Sequence, residues 1–323
     1  MSASLDAWLE AVRAGVERAA THGDAFARHV SVRATTGSTN DDVARAAAEG
    51  APEGYTVIAA EQTAGRGRRG AAWHSPAAHG LYVSTLLRPD RWPAMRQDPA
   101  SPASSLVTLM AGVAVVEAVR DVCDVPVELK WPNDVMVRGE AGSGKRDSGT
   151  GESAFAPPAS AGHGGPPQGA GPRWRKLAGI LAEGSSDGGV LRSVVLGIGI
   201  NVRPAEAPPD VAARMITLEE LAGPLAGGSL AMASQVVEAL LGRLAAGTMA
   251  LAAGDVARVR EAWLAAAPSV DGTPVRWHHH GVTHSGRARG IDDAGALRVQ
   301  VAASAEVLVH GGDVEWLLEG ARS

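Results

Sequence analysis

The sequence predicts an α+β fold followed by a small C-terminal β-barrel. From residue 30 the chain alternates between strand-like and helix-like segments, and after Pro268 it changes to short strands separated by turns. Its 323 residues are enough to bury a sizeable core. We therefore expect an N-terminal helix over 1–29, a main domain over 30–268 and a small β-domain over 269–323.

Strands of the main domain are predicted wherever short apolar or alternating runs end at turn residues. The last run is continuously apolar, which is typical of a central strand, and the two runs before it are expected to form a hairpin. The predicted strands are HVSVRAT (29–35), TVIAAEQ (56–62), GLYVSTLLRP (80–89), VELKWPNDVMV (127–137), RKLAGILAEG (175–184) and SVVLGIGINV (193–202).

Helices are predicted over 41–50, 104–122, 217–223 and 229–267 from their apolar spacing. The first of these can be capped by Ser38, Thr39 or Asn40, and acidic residues in its first turn suit the positive end of a helix. The segment 104–122 is apolar nearly all round, which indicates a buried helix.

The C-terminal strands are short and are separated by turns. The Asp-Asp-Ala-Gly sequence at 292–295 suits a hairpin between two of them. The predicted strands are TPVRWHH (273–279), THSGRARGI (283–291), ALRVQVAA (296–303) and AEVLVHGG (305–312).

Residues 139–173 consist almost entirely of Gly, Ser, Pro and Ala, which predicts a disordered insertion at the tip of the proposed hairpin. Gly139–Lys145 matches the first part of a phosphate-binding P-loop motif. Arg146 replaces the required Ser or Thr, and the residues that follow are not helix-forming, so a P-loop is not expected.

Composition and charge narrow the functional classes. The net charge of −5 lacks the positive excess that is typical of nucleic-acid-binding proteins. Residues 1–29 are also too few for a helix-turn-helix domain, so DNA binding is not expected. A single cysteine, Cys123, excludes an internal disulfide and favours a reducing compartment. The N-terminus lacks the pattern of a signal peptide, and the apolar run 106–116 is too short to span a bilayer. We therefore expect a cytoplasmic protein.

The glycines at 65, 67 and 70 spell G-x-G-x-x-G, which raises the possibility of a nicotinamide-dependent oxidoreductase. A dinucleotide-binding turn requires a helix directly after the glycines. Here Pro76 disfavours a helix, and the next predicted element is a strand. Three arginines accompany the glycines instead, and guanidinium groups in a glycine-rich loop suit phosphate and carboxylate ligands.

With these residues in place, the chain resembles the biotin–protein ligases over about 30–320. The order and spacing of several motifs carry the resemblance. The motifs are GSTN (37–40), EQTAGRGRRGAAWHSP (61–76), GLYVSTLLRP (80–89), KWPNDV (130–135), KLAGILAE (176–183), GIGINV (197–202) and GRARGIDDAGAL (286–297).

The resemblance implies a mixed, mostly antiparallel sheet flanked by helices, related to class II aminoacyl-tRNA synthetases, with an SH3-like C-terminal barrel. It also implies activation of biotin by ATP with Mg²⁺, followed by transfer to a lysine of a biotin carboxyl carrier domain of an acyl-CoA carboxylase. The N-terminus departs from the family members that also repress transcription, because it lacks their winged helix. A homodimer is compatible with the resemblance, and no DNA or membrane partner is expected.

The resemblance assigns roles to individual residues. Lys176, Arg68 and Arg66 would be catalytic. The residues implied for biotin are Ser38, Thr39, Asn40, Gln62, Arg66, Gly67, Arg68 and Lys176, and those implied for ATP are Arg66, Arg68, Arg69, Trp73, Asn133, Lys176 and Asn201.

Simpler interpretations remain open for some of these residues. Ser38, Thr39 and Asn40 could act only as helix caps, Asn201 could be a turn residue, and Lys130 could simply pair with Asp134. The alternative activity is that of a lipoyl–protein ligase or transferase, which shares the catalytic fold. A ligand-binding module without catalysis would require the arginines and Lys176 to be dispensable.

Overall fold

A computed structural model describes residues 3–138, 174–223, 227–279, 281–303, 305–312 and 314–317. The predicted insertion over 139–173, with its P-loop-like stretch, lies outside the described residues. The helices are α1 (Ala3–Thr21), α2 (Thr39–Ala48), α3 (Pro93–Gln97), α4 (Val107–Val122), α5 (Pro209–Ala212), α6 (Leu218–Ala222), α7 (Gly228–Ala252) and α8 (Val256–Ala266).

Within the described residues, seven strands of the main domain form one sheet in the order β1-β2-β3-β7-β6-β5-β4. β1 and β2 are parallel and all other neighbours are antiparallel, so the sheet is mixed and mostly antiparallel, as predicted. Its strands are β1 (Val30–Thr36), β2 (Thr56–Gln62), β3 (Gly80–Leu87), β4 (Val127–Lys130), β5 (Asp134–Arg138), β6 (Trp174–Asp187) and β7 (Val190–Asn201).

The two faces of the sheet are covered differently. On one face α1 contacts β1 and β2, α7 contacts β3, and α4 contacts β4 to β7, while α7 packs against both α1 and α4. This side holds the large core. On the other face α2 packs over a small cluster of Val43, Val57, Leu86 and Val195. Successive side chains of a strand point to opposite faces, so Ile58 and Leu87 belong to the large core while their neighbours Val57 and Leu86 lie under α2.

Two predicted elements are each divided in the structure. The run 127–137 is two strands, β4 and β5, because the chain reverses at Trp131–Asn133 and Pro132 has no amide hydrogen to donate to a ladder. β5 then pairs with β6, which confirms the predicted antiparallel pairing of 127–137 with 175–184. The helix predicted over 229–267 is interrupted after α7 by Gly254, whose φ is +81°, and Asp255 caps α8.

The C-terminal residues form a separate antiparallel sheet in the order β11-β10-β9-β8-β12. β12 was not predicted, because a three-residue strand is too short to show a pattern. The strands are β8 (Pro274–His279), β9 (Val282–Ile291), β10 (Leu297–Ala302), β11 (Ala305–Val309) and β12 (Val314–Trp316).

The predicted turn at 292–295 joins β9 to β10 and also docks this small domain on the main one. Trp131 donates its indole N–H to the Gly295 carbonyl at 2.9 Å, and the Ser105 hydroxyl donates to the Ala294 carbonyl at 2.8 Å. Gly295 has a φ of +82° and lies so close to Leu109 that a Cβ there would come within 2.8 Å of it. Only glycine suits both demands.

No helix among the described residues is both long and apolar enough to cross a membrane.

Candidate functional site

The candidate site lies on the face of the sheet that α2 partly covers, where β3, β7 and β6 run side by side. Ser84 of β3 is opposite Gly197 of β7, which is opposite Leu181 of β6. The next pair on this face, two residues further along β7, is Gly199 of β7 with Gly179 of β6. The glycines form a floor without side chains, and the polar groups stand around it.

A small cavity of about 50 Å³ opens above this floor. Ser38, Thr39 and Asn40 of the GSTN motif lie at its edge, together with Gln62. The Thr39 amide and hydroxyl both donate to the Gln62 side-chain oxygen, at 2.9 and 3.0 Å, and Gln62 donates from its nitrogen to the Ser75 hydroxyl. The hydroxyl of buried Ser84 lies 2.6 Å from the Asn40 side-chain oxygen and 2.8 Å from the Thr39 hydroxyl, and its single hydrogen is shared between these two acceptors. Ser38 is the N-cap of α2 by position, but its side chain makes no capping hydrogen bond.

The Arg66 guanidinium is held between two carboxylates at the rim of the small cavity. It lies 2.7 Å from Asp41 of α2 and 3.1 Å from Glu183 of β6. The hydrogen bond to Asp41, followed by the bond and charge of Glu183, raises the pKa of Arg66 above its usual value despite the opposing effect of burial. Arg66 therefore joins the start of the glycine–arginine loop (Thr63–Gly70) to both α2 and β6.

The rest of that loop makes one short 3-10 turn over Arg68–Gly70 and no α-helix. Gly67 donates its amide to the Ala71 carbonyl, and Arg69 and Gly70 both have positive φ, +56° and +75°. The next regular strand or α-helix is β3, so the helix that a dinucleotide-binding turn requires is missing from this described segment. Arg69 is not among the described residues that line the two cavities.

A large cavity of about 600 Å³ adjoins the small one, which is within the usual range for small-molecule sites. The two cavities share a wall made by Gly67, Arg68, Trp73, Asn133 and Lys176. Each cavity therefore has its own set of polar groups, and the residues of the wall can contact ligands in both.

Arg68 and Asn133 are joined within this wall. Arg68 donates to the Asn133 side-chain oxygen at 3.1 Å and to the Gly312 carbonyl of the C-terminal domain at 3.3 Å. Asn133 donates from its amide nitrogen to the Ile180 carbonyl at 2.9 Å. These bonds tie the loop to the turn after β4, to β6 and to the C-terminal domain.

Lys176 lies at the centre of the wall. Its ammonium is 2.6 Å from the Asp134 carboxylate and 5.0 Å from the centre of the Trp73 ring. Asn201 donates to the Lys176 carbonyl at 3.1 Å, so its amide holds the backbone that presents the lysine. Asp134 thus pairs with Lys176 at contact distance, where the sequence suggested Lys130 as its partner.

Lys130 also lines the large cavity, and burial lowers its pKa because desolvation disfavours the ammonium. The Asp134 carboxylate raises that pKa and only partly offsets the burial. In its charged form Lys130 therefore brings a cation to the cavity and loses part of its hydration there.

Trp73 separates the two cavities. Its ring covers Gly179 and Gly199 so closely that a Cβ on either glycine would lie within 2.8 or 2.5 Å of a ring atom. Its indole nitrogen is buried without a hydrogen-bond partner. The two glycines therefore provide the space for the tryptophan.

Sequence reasoning missed several polar residues of the site. Ser84 lies inside an apolar strand, and Glu183 was quoted in a motif but given no role. Asp41 was interpreted only as a favourable residue for a helix N-terminus, and Asp134 only as a partner of Lys130. Each belongs to the site through a neighbour distant in sequence, so only the three-dimensional arrangement reveals its role.

The histidines at 278, 279 and 284 form no metal centre within the part of the chain that is described, where no group of three or more candidate ligands was found. His284 stacks on Trp277 with ring centres 5.3 Å apart. His280 lies outside the described residues. Cys123 is buried, and burial raises its pKa.

Comparisons with known proteins agree with this architecture. Two relatives match over most of the chain. The bifunctional ligase/repressor BirA of Bacillus subtilis is 27% identical, over 86% of this chain and 71% of its own length. The biotin--[acetyl-CoA-carboxylase] ligase of Paracoccus denitrificans is 29% identical, over 85% of this chain and 95% of its own length. The ligase of the same name from Mycobacterium tuberculosis is 35% identical over 57% of this chain and 53% of its own length.

Solved structures show the same fold. The biotin protein ligase of Aquifex aeolicus in complex with biotin and ATP matches with a TM-score of 0.61 at 22% identity, covering 90% of this chain and 99% of that one. The apo structure of the same ligase matches with a TM-score of 0.59 at 19% identity, over 89% and 98%.

The family models divide the chain where the structure divides it into two sheets. Residues 34–201, which run from within β1 to the end of β7, match the biotin/lipoate A/B protein ligase family. Residues 274–316, which span β8 to β12, match the biotin protein ligase C-terminal domain. With more than half of its length in the first match, the chain belongs to the biotin/lipoate A/B protein ligase family.

Proposed function

We propose that this chain is a biotin–protein ligase that activates biotin with ATP and transfers it to a lysine of a biotin carboxyl carrier domain. The observation that carries the proposal is the pair of adjoining cavities whose common wall contains Lys176, Arg68 and Trp73. Two substrates must meet for adenylation, and this wall is where groups from both can be contacted at once.

The small cavity is the proposed site for the biotin head group. A ureido ring offers two N–H donors and a carbonyl acceptor, and the side chains of Ser38, Thr39, Asn40 and Gln62 supply matching groups. At about 50 Å³ the cavity is below the usual size of ligand sites, so biotin requires it to widen. Trp73 forms the side shared with the large cavity, and its movement would provide the space.

The large cavity is the proposed site for ATP. In the first step a carboxylate oxygen of biotin attacks the α-phosphorus, the bond to pyrophosphate breaks, and biotinyl-AMP forms. Two anions must approach each other, so fixed cations at the shared wall stabilise the transition state. Lys176, Arg68 and Arg66 are proposed for this role, and Arg66, which is paired with Asp41 and Glu183, would also anchor the loop.

In the second step the carrier lysine, as a free amine, attacks the acyl carbon of biotinyl-AMP. The bond to AMP breaks, an amide forms, and the amine loses a proton. Trp73 and Asn133 border the large cavity and would retain the AMP moiety, and Asn201 keeps the Lys176 backbone in position. Arg69 stays a proposed ATP contact that needs movement of the loop.

Mg²⁺ is proposed as the ion that accompanies ATP. Asp134 is the one carboxylate among the described residues lining the large cavity, and Asn133 would add an amide oxygen once Arg68, which donates to that oxygen, turns to the ligand. This set fits Mg²⁺, which in nucleotide sites takes one or two protein carboxylates together with phosphates and water. The ion would neutralise phosphate charge, while Lys176 would exchange its contact with Asp134 for one with the ligand.

The alternative activity, lipoyl transfer, belongs to the same family. The C-terminal domain match and the names of the relatives favour biotin. Those names also support a carrier domain of acetyl-CoA carboxylase as the protein substrate. We place the activity in the cytoplasm, where ATP is available and a free thiol such as Cys123 stays reduced.

The test is to incubate the protein with MgATP, a carrier domain and either biotin or lipoate, and to weigh the carrier by mass spectrometry. We expect a biotinyl gain that requires ATP and the acceptor lysine of the carrier. A lipoyl gain alone would assign the alternative activity, and no gain with either acid would contradict the proposal.

A further inference from the structure

We propose that Glu183 is a positioning residue that sets the affinity for biotin by fixing the orientation of the Asn40 amide. The inference rests on the proposed function and concerns a residue with no assigned role in it. Glu183 lies on β6 opposite Val195, on the same face of the sheet as Gly197, and its partners Asn40 and Arg66 line the small cavity.

The Glu183 carboxylate receives two donors from different parts of the chain. Asn40 of α2 donates from its amide nitrogen at 2.5 Å, and Arg66 of the loop donates at 3.1 and 3.3 Å. Because the acceptor is ionised, both bonds are of the stronger class. One carboxylate thus joins the helix, the loop and the sheet at the edge of the cavity.

The amide of Asn40 is fixed from both ends. Its nitrogen donates to Glu183, and its oxygen accepts from the buried Ser84 hydroxyl at 2.6 Å. Turning the amide over would place its oxygen against the Glu183 carboxylate, which has no hydrogen to donate, so this contact would be repulsive. The Asn40 oxygen also lies so near the backbone of Gly197 that a Cβ there would approach it within 2.2 Å.

This arrangement leaves one N–H and one oxygen lone pair of Asn40 for a ligand, with their positions determined by Glu183 and Ser84. A ureido ring is recognised by the pattern of donors and acceptors around it, so a pocket amide that can turn over binds it less well. In a Glu183→Gln variant, the neutral amide that replaces the carboxylate would offer a donor as well as an acceptor, and the Asn40 amide would lose its preferred orientation.

The experiment measures binding of biotin, of biotinol and of ATP by calorimetry to wild-type protein and to Glu183→Gln. Biotinol keeps the ureido ring and lacks the carboxylate, so it separates an effect on the head group from an effect through Arg66. We expect the Kd for biotin and for biotinol to rise by the same factor, about tenfold or more, while the Kd for ATP changes less than about threefold.

Two further variants make the result decisive. Glu238→Gln makes the same chemical change in another Arg–Glu pair, with Arg18 at 2.6 Å, between α7 and α1 and away from both cavities. It should leave all three affinities unchanged. Ser84→Ala removes the other bond to the Asn40 amide, together with one to Thr39, and should weaken biotin and biotinol together. If Glu183→Gln folds poorly, Ser84→Ala tests the premise that fixing the Asn40 amide sets the affinity.

Unchanged biotin affinity in a folded Glu183→Gln variant would overturn the inference, and so would unchanged affinity in Ser84→Ala if Glu183→Gln does not fold. Weaker biotin with unchanged biotinol would also overturn it, because the effect would then act on the carboxylate through Arg66. Failure of the wild-type protein to bind biotin at all would instead contradict the proposed function, so the two failures are distinguishable.

Discussion

At the scale of single residues, the charge of Lys176 is the feature on which the proposed chemistry depends. Its ammonium already pairs with Asp134, so a second interaction with an acyl phosphate must replace or extend that bond. We expect Lys176→Ala to slow adenylation by about a hundredfold or more, because electrostatic stabilisation is greatest where negative charge accumulates in the transition state. Biotin affinity should change much less.

Adenylation can be followed by biotin-dependent exchange of pyrophosphate into ATP, and biotin affinity by calorimetry. Asn201→Ala is the matched comparison, because it loosens the backbone of Lys176 and leaves the charge in place. Equal losses of rate and of biotin affinity in Lys176→Ala would remove the lysine from the catalytic role.

Lys130 brings a positive charge into the site at a cost to the stability of the folded protein. Burial lowers its pKa, so the charged form destabilises the folded chain at neutral pH. As the pH rises through the lowered pKa towards the ordinary value, the unfolded chain holds the extra proton, and the cost disappears. We expect Lys130→Met to stabilise the protein on the order of 1 kcal/mol at pH 7 and by less near pH 10.

The same variant should bind ATP more weakly, since the lost cation lines the proposed nucleotide cavity. Urea unfolding at the two pH values measures the first effect, and calorimetry with ATP measures the second. A variant that is destabilised at pH 7 would show that the ammonium is stabilised by its neighbours in the folded state.

Which residues meet at the site could be predicted from the sequence only where the motifs quoted them. Ser38, Thr39, Asn40 and Gln62 surround one cavity, and the loop, Asn133 and Lys176 form the adjoining wall. The carboxylates were harder to place. Glu183 acts on Asn40 across strands and helices far apart in sequence, and no local pattern marks a glutamate on a strand as a hydrogen-bond acceptor for a distant amide.

At the scale of elements, the paired glycines of β6 and β7 and the Trp73 ring depend on each other. A Cβ at Gly199 would lie 2.5 Å from ring atoms of Trp73. We expect Gly199→Ala to displace the ring and to lower the free energy of unfolding by about 1–3 kcal/mol, the usual effect of overpacking. ATP affinity should fall as well, because Trp73 borders the large cavity.

A double-mutant cycle with Trp73→Ala tests the cause. If the clash with the ring is responsible, Gly199→Ala should cost almost nothing in the Trp73→Ala background. A cost that persists in that background would place the strain in the strand backbone and contradict the packing explanation.

The predicted elements differ from the observed ones where a local pattern continues through a change of direction. The run 127–137 looks like one strand because its apolar residues continue past Trp131, yet the chain reverses there and pairs with itself. The strand that became β7 was placed correctly at the centre of the sheet, since burial on both faces leaves a continuous apolar signal.

At the scale of the whole molecule, the C-terminal domain is fastened to the main domain on two sides. The turn at 292–295 rests on α4 and Trp131, and the Gly312 carbonyl accepts a hydrogen bond from Arg68. Side chains of β8, β9 and β10 belong to the same apolar cluster as those of the main sheet. Both domains are therefore expected to unfold together.

We expect Trp131→Phe, which removes the bond to Gly295, to lower the free energy of unfolding by about 1 kcal/mol while the transition remains single. Circular dichroism during urea denaturation measures both properties. Two separate transitions, in either the wild-type protein or the variant, would show that the domains are energetically independent.

The seam between β3 and β7 has a consequence for the order of folding. Each half of the sheet is assembled from neighbours in sequence, β1 to β3 on one side and the β4–β7 meander on the other, whereas the seam joins Leu87 to Val194. Such a distant contact costs more chain entropy than the local ones, and it is therefore expected to form late and to limit the folding rate. Ser84 and Gly197 face each other across this seam, so a nascent chain acquires its ligand pocket only after the two halves of the sheet have joined.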